Sequence, residues 1–474
     1  MLIAEARARS LASRARVLVS VVERIPMIDP LAALVAPAAR ALGARMYWAR
    51  PIDRFALAGF GAVVTLAGSG PERFSHVDEE WSVLHRDAII EDPSGGAPGA
   101  GPALMGGFSF DPEGPWSDRW RDFPPASMVL PRLQVAAGGG RCWLTTNAII
   151  EAGGADVDIV ALAGLRDAIL RDARRSPRAS GGGAPAWREV DDGPAWRDMV
   201  RAAIAAIRAG ALEKVVLARE VRGLASPRFD VAESLRRLRD AHPGCYVFGC
   251  WRGESVFVGA SPELLVRVAG RDVVASSLAG SVSRGIDAAD DAARAASLLE
   301  SGKDVAEHEI VSRAIAAGLA EHCDHVTVAG RPSLLSLPHV HHLHTEVRAR
   351  LRSGTSLLSL VERLHPTPAV GGEPRDAALR FIRDREPLDR GWYAAPIGWM
   401  QHGRGELAVA LRCALLARGE ASLFAGCGIV ADSDPDAEYA ESEVKLLPMK
   451  AALAAVATRT GRGRVVGVSG GAME

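Results

Sequence analysis

Two stretches of predicted helix each carry a pair of acidic residues three positions apart. The first pair is Asp304 and Glu307 in KDVAEHEIV, and the second is Glu438 and Glu441 in DAEYAESEVK. Residues three apart lie on the same face of a helix, so each pair can point into one cavity. Four carboxylates from two facing helices would form an oxygen-rich site that suits Mg²⁺, which usually keeps several waters. Acidic residues on helices more often form a solvated face, so the spacing alone leaves both interpretations open.

Two other residues could transfer protons. Lys214 begins the strand-like EKVVLAR, and burial among valines would disfavour the charged form of a lysine and make it a candidate base. Its side chain could equally reach water at the edge of the strand. Glu263 lies in GASPELLVRV, at a turn between two apolar strands. A carboxyl group there could be a general acid if its pKa is raised, or it could simply cap the turn.

A third set of residues could bind a substrate. The apolar run ELAVALRCALL predicts one strand, and Arg412 lies inside it. An arginine on a buried strand face needs an anionic partner, such as a substrate carboxylate. Gly426 and Gly428 flank Cys427 at the end of a predicted strand and could let a ligand approach the backbone. Glycines at strand ends usually form turns or bulges, which is the alternative. His341 and His342 are strand neighbours, so they must point to opposite faces.

The composition excludes several classes of partner. The chain has 474 residues with 56 basic and 57 acidic side chains, so there is no excess charge for binding nucleic acid or an anionic membrane. The six cysteines have neither zinc-site spacing nor the density of a disulfide-rich domain, which predicts reduced cysteines. No apolar stretch is long enough to span a bilayer, and no signal peptide is evident. We therefore expect a cytoplasmic protein that binds neither nucleic acid nor a membrane.

The elements that must position these residues alternate between strands and helices. Short β-rich runs include EKVVLAREV, CYVFGCW, SVFVGAS, ELLVRV and DVVASSLAG, and helical patterns include LLSLVERLHP, PRDAALRFIRDREP and DPDAEYAESEVKLLPMKAALAAV. Runs of strands interrupted by helix pairs predict an α+β fold, with layered antiparallel β-sheets flanked by helices.

Composition also suggests how the chain is divided. The segment from Arg174 to Ala186 is rich in Arg, Ser, Gly and Pro and predicts a linker. We therefore expect a less constrained N-terminal part over 1–185, a catalytic region over 186–460, and a flexible Gly-rich tail over 461–474.

From about Asp198 to Ala455, the order of these segments resembles that of the chorismate-utilising enzymes. This family includes isochorismate, salicylate, anthranilate and aminodeoxychorismate synthases. The resemblance rests on EKVVLAR, FVGASPELLVR, SLAGSVSRG, KDVAEHEIV, HVHHLHTEV, LHPTPAVGGEP, LDRGWYAAPIGW and FAGCGIVADSDPDAEYAESEVK. It implies the fold of the large component of anthranilate synthase and an active site within one chain, from which we expect a monomer.

The resemblance also implies roles for individual residues. Lys214 would be the base that activates water, and Glu263 the acid that protonates the departing C4 hydroxyl. Mg²⁺ would hold the ring carboxylate of chorismate, with two glutamates as direct ligands and two further acids holding metal-bound waters. The direct ligands would be Glu307 and Glu441, and the water-holding acids Asp304 and Glu438. The substrate-binding positions would be Arg412, Tyr393, Gly426, Gly428, Lys445, His342 and Ala369.

A few positions distinguish the members of the family. Lys214 stands at a position where the ammonia-using members of the family are similar in carrying glutamine. Ala279 stands where aminodeoxychorismate synthase carries lysine. The resemblance therefore implies water as the nucleophile. Salicylate synthases usually carry threonine at the position of Ala369. We therefore expect an isochorismate synthase, with a salicylate synthase or a catalytically silent chorismate-binding protein as alternatives. The resemblance leaves open whether the product would feed menaquinone or siderophore synthesis.

One segment departs from the family pattern. Ser281, Val282 and Ser283 stand where the family often reads TRP or TRK. This departure predicts a change in kinetics or in substrate access, of a kind that the sequence does not specify.

Overall fold

A computed structural model describes residues 2–114, 117–154, 157–175, 186–189, 193–224 and 229–454. Most of the predicted linker and all of the predicted tail over 461–474 lie outside these residues. The boundary predicted at residue 185 also falls there, and it stays a prediction.

The helices begin and end at defined residues. They are α1 (Leu2–Ser13), α2 (Pro30–Leu34), α3 (Pro37–Arg40), α4 (Arg73–Arg86), α5 (Ile159–Ala173), α6 (Gly193–Arg208), α7 (Val231–Ala241), α8 (Ala288–Glu300), α9 (Gly302–Ala320), α10 (Leu357–Leu364), α11 (Arg375–Arg385) and α12 (Pro435–Leu453). None of these helices, in the part of the chain that the structure describes, is long and apolar enough to cross a membrane.

The strands are short and numerous. They are β1 (Val17–Ile25), β2 (Arg45–Arg50), β3 (Phe55–Gly68), β4 (Ile89–Glu91), β5 (Leu104–Phe108), β6 (Ala126–Gly138), β7 (Arg141–Ile150), β8 (Ala186–Glu189), β9 (Lys214–Leu224), β10 (Tyr246–Arg252), β11 (Ser255–Ser261), β12 (Leu264–Ala269), β13 (Asp272–Ser283), β14 (Cys323–Val328), β15 (Ser333–Ser336), β16 (Val340–Leu351), β17 (Gly372–Glu373), β18 (Pro396–Gln401), β19 (Arg404–Val409), β20 (Cys413–Ala417) and β21 (Glu420–Ile429).

The strands form two sheets that share β6. The first runs in the order β4-β1-β7-β6-β3-β2-β10-β11-β20-β21-β9, with β8 and β17 on the outer edge of β9. The second runs from β6 through β5-β18-β19-β12-β13-β16, with β14 and β15 beside β16. Among the described strands, β1 and β4 pair in parallel and the other pairs are antiparallel. The predicted fold class is confirmed.

An aromatic core joins the two sheets. Trp48 on β2 donates from Nε1 to Glu406 Oε1 on β19 at 2.7 Å, so its indole crosses from the first sheet to the second. Nearby, Phe257 on β11 packs edge-on against Trp392, with ring centroids 6.5 Å apart. Burial of such large side chains is the main driving force for packing two sheets face to face. Helices α7 and α12 pack against each other, and their apolar residues belong to a second core that includes buried residues of β10, β11 and β21.

A buried ion pair supports the wall of the cavity described below. Arg390 pairs with Glu386, and the two side chains are only 4% and 1% exposed. Arg390 also donates to the carbonyls of Val370 and Val216, each at 2.8 Å. Glu386 accepts a hydrogen bond from the backbone N–H of Ala218 at 2.8 Å. The pair therefore ties β9 to the loop before β17.

We expect Glu386→Gln to lower the free energy of unfolding by about 3–5 kcal/mol, because it leaves the Arg390 guanidinium buried without its counter-charge. Denaturant unfolding of the purified variant measures this. The matched control is Glu254→Gln, which breaks an ion pair whose members, Arg418 and Glu254, are 65% and 73% exposed. The control should cost less than about 1 kcal/mol. Equal losses in the two variants would contradict the structural role of the buried pair.

Candidate active site

The predicted site residues converge on one cavity between α9, α12 and the ends of several strands. All of them except Lys214 line its wall: Asp304, Glu307, Glu438, Glu441, Glu263, Arg412, Tyr393, Gly426, Gly428, Lys445, His342 and Ala369. Residues from strands β13 and β16, from helices α9 and α12, and from the segments around β18 and β20 thus meet at one place.

Capping interactions fix the first turns of α9 and α12, the two helices that carry the carboxylates. Ser301 precedes α9, and its Oγ accepts from the backbone N–H of Asp304 at 3.2 Å. Asp434 precedes α12, and its carboxylate accepts from the N–H groups of Asp436 and Ala437 at 3.1 and 2.9 Å. Such caps satisfy the free N–H groups of the first turn and fix where each helix begins. The i, i+3 acids then fall on the cavity face of each helix, as the spacing predicts.

The carboxylates are crowded and partly buried. Burial and, after it, the neighbouring carboxylate of Glu441 together raise the pKa of Glu438 to about 7. Burial also raises the pKa of Asp304, with the Glu307 carboxylate as a contributing cause. Negative charge is therefore concentrated on this wall, and a bound cation would relieve it.

Two lysines partly offset this charge. Lys445 Nζ lies 2.5 Å from Glu441 Oε1 and donates to the carbonyl of Gly426 at 2.9 Å. Burial alone would lower the pKa of Lys445, but the Cys427 thiol and the Glu441 carboxylate raise it overall. Lys303 lies 3.4 Å from Glu438 Oε1 and also lines the cavity. Sequence reasoning missed Lys303, because a lysine in the first turn of a charged helix is ordinary.

Lys214 lies just behind the cavity wall. Its side chain is 1% exposed, and Nζ contacts Glu307 Oε1 at 2.8 Å. The predicted base and a predicted metal ligand are thus direct partners, which the sequence did not indicate. A Cβ at position 428 would collide with Glu307 Oε1 and would lie 2.9 Å from Lys214 Cε. Gly428 is therefore needed where this pair passes β21.

Glu263 is the buried acid of the site. It follows β11, and its side chain is fully enclosed except toward the cavity. Burial raises the pKa of Glu263 to about 8, against the opposing effect of Lys214 and Arg412. Among the described residues, no hydrogen-bond partner lies at Glu263 Oε1. The carboxyl group is therefore protonated at neutral pH and can donate to a ligand in the cavity.

Arg412 corrects one sequence prediction. The run ELAVALRCALL is not a single strand, because β19 ends at Val409 and β20 begins at Cys413. Arg412 lies in the break with a backbone φ of 47°, in the left-handed region that residues other than glycine rarely adopt. Its guanidinium is buried and reaches the cavity. Local strain of this kind is typical of functional positions.

The two strand histidines separate as predicted. His341 contacts Asp291 and Ser336 through its two ring nitrogens, at 3.0 and 2.8 Å. His342 faces the cavity instead and contacts Arg412. Tyr393 lies nearby, and a Cβ added to Gly426 would lie 2.8 Å from its hydroxyl oxygen. This close approach is one reason for a glycine at position 426, and the role of Gly426 in substrate binding stays a prediction.

A sequence model of the chorismate-binding enzymes matches residues 4–454 of the chain. The chain belongs to this family. A Pseudomonas aeruginosa protein named salicylate biosynthesis isochorismate synthase is 40% identical over 418 residues, which cover 87% of this chain and 85% of that protein. Isochorismate synthase MenF of Bacillus subtilis is 36% identical over 446 residues, covering 92% and 93%.

The fold comparison agrees with this assignment. The structure of MenF, the menaquinone-specific isochorismate synthase of Escherichia coli, matches with a TM-score of 0.76 at 23% identity. The match covers 96% of this chain and 100% of that one. At this identity the likeness concerns the fold, and it confirms the architecture expected of a chorismate-binding enzyme.

The donor set of this chorismate-binding enzyme fits a hard cation. Four carboxylates share one wall, and ligand atoms of Cys427, Glu438 and Glu441 lie within 4.8 Å of one another. Burial raises the pKa of the Cys427 thiol well above its ordinary value, and the thiol donates to the Glu438 carbonyl at 3.2 Å. A protonated thiol is a poor ligand, so oxygen donors remain, and these suit Mg²⁺.

His308 is a site residue that sequence reasoning missed. It follows Glu307 on α9 and is buried, which lowers its pKa to about 4. Its Nδ1 lies 3.2 Å from the Ala279 carbonyl, so that nitrogen carries the hydrogen, and Nε2 accepts from Thr345 Oγ1 at 2.8 Å. The neutral ring thus ties α9 to β13 and β16 behind the carboxylates. Its position next to Glu307 in the segment KDVAEHEIV was the sequence signal that could have identified it.

Proposed function

We propose that this protein is an isochorismate synthase that isomerises chorismate with water as the nucleophile and Mg²⁺ as cofactor. The observation that carries the proposal is Glu263, a buried carboxyl group in a cavity that also holds Arg412 and the four carboxylates. Burial keeps it protonated, and its Oε1 has no hydrogen-bond partner among the residues that the structure describes. The names of the relatives that cover most of the chain support the same reaction.

The proton transfers balance as follows in the proposed reaction. A water molecule forms a bond to C2 of the ring and gives up one proton, the ring double bonds shift, and the C4–oxygen bond breaks. Glu263 supplies a proton to the departing hydroxyl group, which leaves as water. Lys214 is the proposed acceptor of the first proton. One water enters and one leaves, so the reaction is an isomerisation.

Lys214 must change partners to serve as the base. Its Nζ contacts Glu307 Oε1 at 2.8 Å and does not line the cavity. Glu307 and Glu441 are the proposed direct ligands of Mg²⁺, with Asp304 and Glu438 holding metal-bound waters. The bound ion would neutralise these carboxylates and hold the ring carboxylate of the substrate. Once Glu307 has a cation as partner, Lys214 is free to turn toward the water.

In the proposal, Arg412 binds the second carboxylate of chorismate, the one on the enolpyruvyl group. Arg412 presents a planar guanidinium to the cavity, and Tyr393 and Lys445 also line it. A guanidinium can hold a carboxylate through two parallel hydrogen bonds. This arrangement would fix the enolpyruvyl group while Glu263 and Lys214 act on the ring.

We expect Arg412→Lys to raise the KM for chorismate about tenfold, because lysine keeps the charge but loses the two-pronged contact. Initial-rate kinetics with purified variants measure this. Arg418→Lys is the matched control, since Arg418 is exposed and lies only six positions along the chain. An unchanged KM in Arg412→Lys would mean that Arg412 has only a structural role.

Product analysis tests the proposed function. Purified protein is incubated with chorismate and Mg²⁺, and the products are separated by chromatography. Isochorismate is the expected product. Salicylate together with pyruvate would show a salicylate synthase, a reading that Ala369 in the cavity wall does not favour. Unchanged chorismate would show a binding protein without catalysis and would overturn the proposal.

A further inference from the structure

A chain of three side chains runs from the segment that departs from the family pattern into the substrate cavity. Ser281 Oγ lies 2.8 Å from His342 Nδ1. On the other side of the ring, Arg412 Nη2 lies 3.3 Å from His342 Nε2. All three residues line the cavity. The serine and the arginine are thus connected through one imidazole.

The donors and acceptors in this chain can be assigned. Burial lowers the pKa of His342 well below its ordinary value, and the Arg412 charge lowers it further, so the ring is neutral. A guanidinium carries only donors, so Nε2 must be the nitrogen with the lone pair. Nδ1 then carries the hydrogen and donates to Ser281 Oγ. A hydroxyl can donate as well as accept, so Ser281 does not select the tautomer. By accepting from Nδ1 it holds the ring in the orientation in which Nε2 faces Arg412.

The backbone brings Ser281 to this position. Strands β13 and β16 pair in register up to Ala279 and Leu343, and a bulge at Gly280 then places Ser281 opposite His342. Gly280 has a φ of 77°, and an added Cβ would lie 3.1 Å from Asp304 Cβ. The bulge is therefore fixed between the helix of the carboxylate wall and the histidine, and the serine hydroxyl is held at the ring.

Arg412 needs such support. Its backbone is in the left-handed region, and its guanidinium is buried, so it must be held against alternative rotamers. A hydrogen bond from one guanidinium nitrogen to His342 leaves the remaining N–H groups for a carboxylate. Losing the contact with Ser281 would free the ring to rotate and would turn Nε2 away from the guanidinium.

We propose that Ser281 is a positioning residue for carboxylate recognition, acting through His342 to orient Arg412. The identity of the carboxylate as that of chorismate rests on the proposed function. Ser281→Ala should weaken chorismate binding about tenfold, the scale expected when a hydrogen bond that orients a charged group is lost. The kcat should stay within about twofold, because among the described residues the Ser281 hydroxyl hydrogen-bonds to His342 and not to Glu263 or Lys214, the proposed proton-transfer groups.

Two variants serve as controls. Ser281→Thr keeps the hydroxyl group and should retain the wild-type affinity. Ser283→Ala removes a neighbouring hydroxyl that accepts from Arg294 on α8 at 2.9 Å and does not line the cavity. It should also leave affinity unchanged. Calorimetric titration with chorismate and Mg²⁺ in a Glu263→Gln background gives the Kd with little turnover, and initial rates with Mg²⁺ in the wild-type background separate KM from kcat.

The outcomes separate this inference from the proposed function. The inference is supported if Ser281→Ala binds chorismate more weakly than the wild type while Ser281→Thr and Ser283→Ala bind it normally. The melting temperature of Ser281→Ala should then equal that of the wild type. Equal affinity of Ser281→Ala and the wild type overturns the inference, while the proposed function stands if isochorismate forms. If the wild type binds chorismate without converting it, the proposed function fails and the Kd comparison still decides the role of Ser281. If the wild type does not bind chorismate, both fail.

Discussion

Replacing Glu263 by glutamine is expected to reduce kcat by at least about a hundredfold, the usual scale for loss of a general acid. Glutamine keeps the shape of the side chain but has no acidic proton to give to the departing hydroxyl group. Chorismate binding should change little, because Arg412 and the carboxylate wall are untouched. Steady-state kinetics together with a calorimetric Kd measure both effects. A variant with near-normal kcat would show that another group protonates the leaving group.

The pH dependence of the reaction rate also tests whether Glu263 protonates the departing hydroxyl group. Because burial raises the pKa of Glu263 to about 8, the carboxyl group is protonated below that pH and charged above it. Only the protonated form can donate, so kcat/KM, which reports the pKa values of the free enzyme, should fall as pH rises through about 8. In Glu263→Gln the remaining activity should lack this alkaline decline. Retention of the decline in the variant would assign it to a different group.

Removal of the metal should abolish turnover, and added Mg²⁺ should restore it. The physical reason is that the carboxylate wall repels a substrate carboxylate unless a cation lies between them. Glu307→Gln and Glu441→Gln should each raise the Kd for Mg²⁺ at least about tenfold, the scale seen when groups that only support a metal ligand are lost. Calorimetric titration with Mg²⁺ measures this independently of activity.

The control for these variants lies on the same helix. Glu309 is two positions beyond Glu307, is exposed and does not line the cavity, so Glu309→Gln should bind Mg²⁺ as the wild type does. Glu443 is unsuitable because its carboxylate accepts from Arg219 at 2.6 Å. Glu441→Gln is informative because the ion-pair partner of Glu441 is Lys445, so the proposed base Lys214 is not disturbed. Full turnover by metal-free protein would contradict the four-carboxylate site.

The helical part of the site could be predicted because helix geometry is local. The spacing of Asp304 and Glu307 fixes which face they share, whatever the rest of the chain does. The opposite orientations of His341 and His342 follow from the strand in the same way. Lys303 and His308 lie on the same helix as the first pair, yet their roles depend on Glu438 and Thr345, which come from distant segments.

The features that could not be predicted depend mostly on contacts between segments that are far apart in the sequence. The contact between Lys214 and Glu307 requires β9 and α9 to meet, and nothing in either segment specifies the other. The sheet order joins β2 to β10 and β5 to β18, which are far apart in sequence. The break at Arg412 was also hidden, because apolar residues continue through it and a left-handed φ at arginine has no sequence pattern.

The most direct test of the central claim follows the oxygen atom. Chorismate and Mg²⁺ are incubated with the protein in water enriched in heavy oxygen, and the product of the first turnovers is analysed by mass spectrometry. If water adds at C2 and the C4 hydroxyl leaves, isochorismate should form and carry one solvent oxygen. Isochorismate without the heavy oxygen would contradict water as the nucleophile, and the absence of isochorismate would contradict the proposed reaction itself.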